Sequence, residues 1–144
     1  MTTTRGADVV VVGAGIIGAA TAYYLARAGV DVLLLDRGGP SASGGATQAC
    51  AGGVRQQGRV ACEIPLAIRA VRLWEKLGSE LEADLHYRQD GMFVVTDDPQ
   101  HVATLEHRVQ QEQSRGLAVH MVYGEDLHRQ VPGLSPRMLA GSSC

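Results

Sequence analysis

Between Val9 and Asp36 the chain reads VVVVGAGIIGAATAYYLARAGVDVLLLD, and no other stretch narrows the fold as far. Val9–Val12 is a run of β-branched residues between Asp8 and Gly13. That is the pattern of a strand buried on both faces, as in a parallel sheet. Gly13-Ala14-Gly15-Ile16-Ile17-Gly18 follows, a G-x-G-x-x-G. Ala19, Ala20, Ala22, Leu25 and Ala26 then favour a helix, and Gly29 is placed to stop it. Val30–Leu35 reads as a second buried strand ending at Asp36. The order strand, glycine turn, helix, strand predicts a βαβ unit and hence an α/β fold.

The glycines have separate mechanical roles in such a unit. Gly13 allows the tight turn out of the strand, Gly15 lets the backbone approach a pyrophosphate, and Gly18 lets the helix pack close to the sheet. Ile16 and Ile17 open the helix, so their N–H groups join the glycines as candidate phosphate contacts at the positive end of the helix dipole. Asp36 stands 21 positions after Gly15, where its carboxylate can accept hydrogen bonds from two ribose hydroxyls. A 2′-phosphate would meet like charge there, which disfavours NADP. The glycine pattern alone is weak evidence; its place between a strand and a helix, with an acid at this distance, is what points to a dinucleotide. These residues leave open which dinucleotide.

After Asp36 a simple NAD domain proceeds to another helix and strand. Here the chain enters Gly38–Gly58, GGPSASGGATQACAGGVRQQG, rich in Gly, Ser and Ala and without periodicity. Long stretches of this kind in compact domains are usually functional, although the composition also fits a flexible linker. The glycine pairs at 44–45 and 52–53 fit close backbone approach to a ligand.

Three segments, ADVVVVGAGIIGAATAYYLARAGVDVLLLDRG, SGGATQACAGGVRQ and DGMFVVTDD, resemble the flavin-dependent amine oxidoreductases of the D-amino-acid oxidase type. That family includes glycine oxidase, sarcosine oxidase, D-amino-acid dehydrogenase and subunits of proline, opine and cyanide-forming glycine dehydrogenases. The resemblance covers nearly the whole chain but only the N-terminal portion of the family pattern. It implies FAD as cofactor, with Gly13, Gly15, Ile16, Ile17, Gly18 and Asp36 on its phosphates and ribose and Arg37 beside the adenosine half. It also implies that Ser43, Gly44, Thr47, Ala51, Gly52 and Gly53 lie in a loop wrapped around the cofactor. The implied fold is a Rossmann-like FAD-binding segment over residues 1–84, with the flavin loop at 38–58 and a helix at 63–82. Residues 85–144 begin an α+β substrate domain. The implied reaction moves a hydride from the α-carbon of an amino acid or secondary amine to the flavin, giving an imine that hydrolyses to an oxo acid. The substrate class is glycine, sarcosine, proline or a D-amino acid, and the electron acceptor is oxygen or a quinone- or dye-type carrier, with partner subunits in some members. No catalytic acid or base is assigned. Members of the family are more than twice as long, and the chain stops in LAGSSC, mid-pattern, so the resemblance implies a fragment or one piece of a split enzyme, inactive alone. A NAD-dependent dehydrogenase domain and a non-catalytic nucleotide-binding partner remain as alternatives.

The remainder reads as ordinary soluble structure. Glu63–Glu82 predicts a helix whose apolar face is Leu66, Ala70, Leu73, Trp74, Leu77 and Leu81. Leu85–Gln89, Asp90-Gly91 and Met92–Thr96 predict a hairpin with a two-residue turn. Asp98-Pro99 is a cap followed by proline at the first helical position, opening a helix to about Ser114 with Gly116 beyond it. Ala118–Tyr123 predicts a strand and Glu125–Val131 a short helix broken by Pro132-Gly133. His86, His101, His107, His120 and His128 show no metal spacing. Cys50, Cys62 and Cys144 form no CxxC pair and are odd in number, which argues against a disulfide framework or a zinc site. A reducing compartment fits, so the expectation is a cytoplasmic location, with peripheral attachment to the inner face of a membrane as the variant. The formal net charge of −2, from 13 Lys and Arg against 15 Asp and Glu, leaves no basic stripe for nucleic acid. The apolar stretch at 9–22 resembles a signal-peptide core, but Asp8 precedes it, glycines interrupt it, and it is shorter than the roughly 20 residues a membrane span needs.

Overall fold

The computed structural model describes residues 6–38 and 45–144. They form two compact units, Met1–Gly53 and Val54–Cys144.

In the first unit, β1 (Val9–Val12) leads through Gly13–Gly15 into α1 (Ile16–Arg27) and returns as β2 (Val32–Leu35). The strands pair in parallel, Val9 opposite Val32 and Val12 opposite Leu35. β2 is shorter than the Val30–Leu35 expected, because Val30 serves the end of α1. The Val30 N–H donates to the Leu25 carbonyl and the Gly29 N–H to Ala26, at 3.1 and 3.0 Å, while Gly29 takes φ +83°. This is the paired cap in which a left-handed glycine closes a helix. The expectation that both strands are buried on both faces does not hold. Val12 is 82% exposed and Val10 52%, because α1 reaches the opposite side of the sheet, beside Val11. A short helix, α2 (Ala46–Ala49), follows within the aperiodic Gly38–Gly58 stretch.

The second unit contains α3 (Ile64–Glu80), β3 (Phe93–Thr96), α4 (Pro99–Gln113), β4 (His120–Tyr123), α5 (Gly124–Gln130) and β5 (Ala140–Ser143). Its three-stranded antiparallel sheet has the order β3-β5-β4. The expected hairpin is not formed. Leu85–Gln89 is not a strand, and β3 pairs with β5 instead, Phe93 opposite Ser143. Met92 and Cys144 extend that ladder by exchanging hydrogen bonds of 2.9 and 3.1 Å. The segment before β3 turns back onto α3, where Tyr87 meets Trp74 at 5.6 Å between ring centroids and Gln89 donates to Glu75 at 3.1 Å.

The apolar face expected on α3 is likewise not the one that packs. Leu66 is 67% exposed and Leu73 53%, whereas Ile64 and Val71 are buried. Ile64 packs with Val109, Leu117 and Val119, and Ile68 lies against them. The helix carries two apolar stripes, and the one that holds Ile64 and Ile68 meets Val109 of α4 and Met121 of β4. Because α3 packs there, it groups with the other residues of the Val54–Cys144 unit. The cap on α4 is as expected: Asp98 Oδ1 accepts the Gln100 N–H at 2.8 Å, with Pro99 at the first position.

β5 is the central strand, yet it is built of Ala140, Gly141, Ser142 and Ser143, residues with little intrinsic preference for strands. Space selects them. A Cβ on Gly141 would sit 3.1 Å from Leu127 Cδ1, the Val94 carbonyl oxygen and Val95 Cγ1. Leu127 is 0% exposed. Leu127→Ala should therefore destabilise this unit by about 2–5 kcal/mol, and Gly141→Ala by about 1–3 kcal/mol through overpacking. Denaturant titration followed by the fluorescence of Trp74, the one tryptophan, measures both. Unchanged midpoints would contradict this packing.

Candidate nucleotide-binding site

The site is built where β1 hands over to α1. Gly13 leaves the strand with φ +101°, a conformation that side chains resist, and its N–H donates to the Leu35 carbonyl at 2.7 Å. Gly18 is required by the return of the loop on itself, since a Cβ there would overlap the Gly13 carbonyl oxygen and approach Val11 Cγ1 to 3.5 Å. Gly15 is the N-cap residue of α1 and brings no side chain to cap it. A Cβ at Gly15 would lie 3.0 Å from Thr47 Oγ1.

The backbone donors of this turn divide into two groups. Ala14 N–H donates to Asp36 Oδ2 at 2.7 Å and Ile16 N–H to Thr47 Oγ1 at 2.9 Å. The N–H groups of Gly15, Ile17 and Gly18 find no acceptor among the described residues. They stand at the positive end of a 12-residue helix, the arrangement that receives anions. All three residues line an open cleft of about 720 Å³, shared with Val11, Val12, Thr21, Asp36, Arg37 and Thr47. The cradle thus fits a phosphate-bearing ligand, with unclaimed donors and a carboxylate among its lining residues.

Asp36 closes β2, and Oδ1 also accepts the Gly38 N–H at 2.6 Å. The donations from Ala14 and then Gly38 hold the carboxyl below its ordinary value; some desolvation opposes this, and the Arg37 charge adds to it.

Of the residues singled out in the sequence, Gly13, Gly15, Ile16, Ile17, Gly18, Asp36, Arg37 and Thr47 share this cleft. Ala51, Gly52 and Gly53 are exposed and do not line it. Ser43 and Gly44 lie outside the described residues. Gly45, Ala46, Thr21 and Cys50 line it without having been singled out. Thr21 was signalled by its place one helical turn beyond Ile17, whose carbonyl its hydroxyl bonds at 2.8 Å. The end of the loop read as wrapping the flavin belongs to the second unit. There Gln57, 1% exposed, donates to the Met92 carbonyl at 2.7 Å and accepts from Ser142 at 2.9 Å, and Gly58 N–H donates to Glu112 at 2.7 Å. A smaller cavity of about 240 Å³ in that unit is lined by Arg55, Arg88, Asp90 and Cys144 among others. Burial, and then Glu112, push the Cys144 thiol up, which makes it a poor nucleophile.

The sequence matches the family model described as FAD dependent oxidoreductase over residues 8–143, and the chain belongs to that family, whose cofactor is FAD. It is 32% identical to the N-methyl-L-tryptophan oxidase of Citrobacter koseri over 74% of this chain and 29% of that one. To a monomeric sarcosine oxidase from a Bacillus species it is 30% identical over 89% and 33%. Its structure superposes on L-proline dehydrogenase from P. horikoshii with a TM-score of 0.86 at 25% identity, covering 98% of this chain and 37% of that one. Glycine oxidase from Geobacillus kaustophilus gives 0.82 at 23%, covering 97% and 39%. The chain therefore spans 29% to 39% of the length of these four relatives. The fold is a mixed α/β one, as expected, carrying the parallel pair at its N-terminus. No helix among the described residues is long and apolar enough to cross a membrane.

The hydrogen bonds to Asp36 carry a pH dependence. Because the folded chain lowers its carboxyl, the stabilisation is fully present above the ordinary aspartate value of about 3.9 and is lost as pH falls through the lowered folded value. Carboxyl-detected NMR should place the Asp36 midpoint below about 3.9 and show the Ala14 and Gly38 amide shifts following the same curve. A midpoint at or above that value would show that the bonds are not kept in solution.

Proposed function

We propose that the chain binds FAD and forms the nucleotide-binding part of an enzyme oxidising the C–N bond of an amino acid or secondary amine. One observation carries the cofactor assignment: the Gly15, Ile17 and Gly18 N–H groups stand unclaimed at the start of α1, in a cleft that also holds Asp36. In this reading those amides receive the phosphates, Asp36 accepts the ribose hydroxyls, and Arg37 lies beside the adenosine half. Ser43, Gly44, Ala51, Gly52 and Gly53 are assigned to the loop that follows the cofactor. Bound FAD supplies the hydride-accepting ring, while the protein contributes binding and orientation.

The substrate class rests on the relatives. N-methyltryptophan, sarcosine, proline and glycine, which their names specify, share an amine nitrogen on the carbon that bears a carboxylate. Oxygen or a quinone-type carrier, directly or through a partner subunit, is the acceptor consistent with that set. The domain boundary after residue 84 is retained as a proposal for the whole enzyme.

Flavin extraction from protein purified with its cofactor should yield FAD; recovery of FMN alone, or of no flavin, would reject the assignment, and recovery of nicotinamide nucleotide would favour the dehydrogenase alternative. Asp36→Ala should weaken FAD binding about tenfold to a hundredfold, the equivalent of a charge-assisted hydrogen bond of about 1.5–3 kcal/mol. Gly15→Val should abolish loading, since even a Cβ there crowds Thr47 Oγ1. Normal FAD titrations for both variants would refute the site.

The 144-residue chain by itself should not turn over. An electron-acceptor dye assay with glycine, sarcosine, proline and D-amino acids should show no substrate-dependent reduction above the Gly15→Val control. Reduction above that control would make this chain sufficient for catalysis.

A further inference from the structure

Position Gly15 creates a problem that the chain solves from elsewhere. A helix N-terminus leaves its first N–H groups without partners, and the usual remedy is a Ser, Thr, Asp or Asn side chain at the N-cap. The N-cap of α1 is Gly15, which has none. The Ile16 N–H is instead taken by Thr47 Oγ1 at 2.9 Å, from 31 residues further along the chain. The hydroxyl sits 3.0 Å from where a Gly15 Cβ would be, so the glycine makes room for a cap delivered by another element. Thr47 belongs to α2, a helix of four residues, too short to hold itself in place. The bond therefore works in both directions: it satisfies α1 and moors α2 to the turn. A second brace runs alongside it, from Ala14 N–H to Asp36 Oδ2. Between them, the turn is tied at alternate residues, Ala14 and Ile16. The N–H groups left open are those of Gly15, Ile17 and Gly18.

We propose that Thr47 is a positioning residue for the cofactor site: its hydroxyl holds the 13–18 turn, with the open amides of Gly15, Ile17 and Gly18, in binding shape before the cofactor arrives. The proposal rests on the FAD reading for its functional consequence but not for the brace itself, which is a contact between two residues of this chain. Preorganised donors bind without the cost of ordering them during association. Thr47 acts through Ile16 and need not touch the cofactor.

The test uses Thr47→Ala, Thr47→Val and Thr47→Ser in the full chain, with two readouts. The first is amide hydrogen exchange at Ile16 and Ala14 without ligand. The second is the dissociation constant for FAD, with ADP as a probe lacking the flavin. Thr47→Ala and Thr47→Val should speed exchange at Ile16 by about fivefold or more and weaken FAD and ADP alike by about three- to tenfold, the scale of one neutral hydrogen bond. Thr47→Ser, which keeps the hydroxyl, should restore both. Exchange at Ile16 that is unchanged in Thr47→Ala would overturn the proposal, and so would weakened binding without faster exchange, since the hydroxyl would then act on the cofactor directly. If wild type and the Gly15→Val control bind FAD equally, the cofactor reading fails on its own. The exchange data would still decide whether the brace exists.

Discussion

The tight return of the Gly13–Gly18 turn is the constraint from which the first unit follows. The Gly13 carbonyl oxygen occupies the place that a Gly18 side chain would need, so α1 can begin immediately after β1 only if position 18 is bare. That closeness brings the start of α1 against the end of the sheet and puts Gly15, Ile17 and Gly18, with their unclaimed amides, in the lining of the cleft. It also brings Ala14 within reach of Asp36, at the end of the neighbouring strand. The register of Val12 opposite Leu35 fixes where Asp36 emerges. Sheet pairing and ligand chemistry are thus set by one piece of geometry.

Parallel strands are stable chiefly when both faces of their sheet are covered, and an isolated strand pair is marginal. The first unit covers one face with α1 and leaves Val10 and Val12 exposed, with Ile17 at 81% on the helix. The second unit is different. Its central strand is enclosed by neighbours on both edges, and Ala140, Gly141 and Ser142 are buried. Leu127, Val109, Val119 and Ile64 supply apolar residues exposed by 4% or less. The two units accordingly differ in how much of their stability comes from packing of their own side chains.

The sequence made the first unit legible because its constraints are local. A turn that needs glycine at 13, 15 and 18, a valine run before it and an acid after the next strand can be read from adjacent residues. Gly29 and Asp98-Pro99 were legible for the same reason, since caps act over one helical turn. Three features were not. Thr47 is singled out by resemblance as a loop residue, but its bond to Ile16 spans 31 positions, and no local pattern announces that pairing. β5 lacks strand-forming residues because its position demands small ones, so propensity pointed away from the correct answer. On α3 the periodicity was real but twofold, and only the partner elements decide which stripe packs. The hairpin failed for a related reason: Gly91 takes φ +84°, but no turn forms at Asp90-Gly91, and the segment before it lies against Trp74 rather than in the sheet.

Asp36 shows how much one carboxylate can do at such a site. An ionised carboxylate offers about four acceptor positions on its two oxygens. Ala14 takes one on Oδ2 and Gly38 one on Oδ1, leaving about one on each oxygen for ribose hydroxyls. Under the proposed function, the acid can therefore brace the turn and accept ribose hydroxyls at once. A neutral amide could not do the same, because its NH₂ would face one of the two backbone donors. The short side chain matters as well. Both bonds, at 2.7 and 2.6 Å, form to backbone close to the end of β2, and a longer glutamate would have to fold back to keep them. A glutamate that reached the ribose would do so by giving up at least one brace. The choice of aspartate then reflects the shape of this turn as much as the chemistry of the ligand.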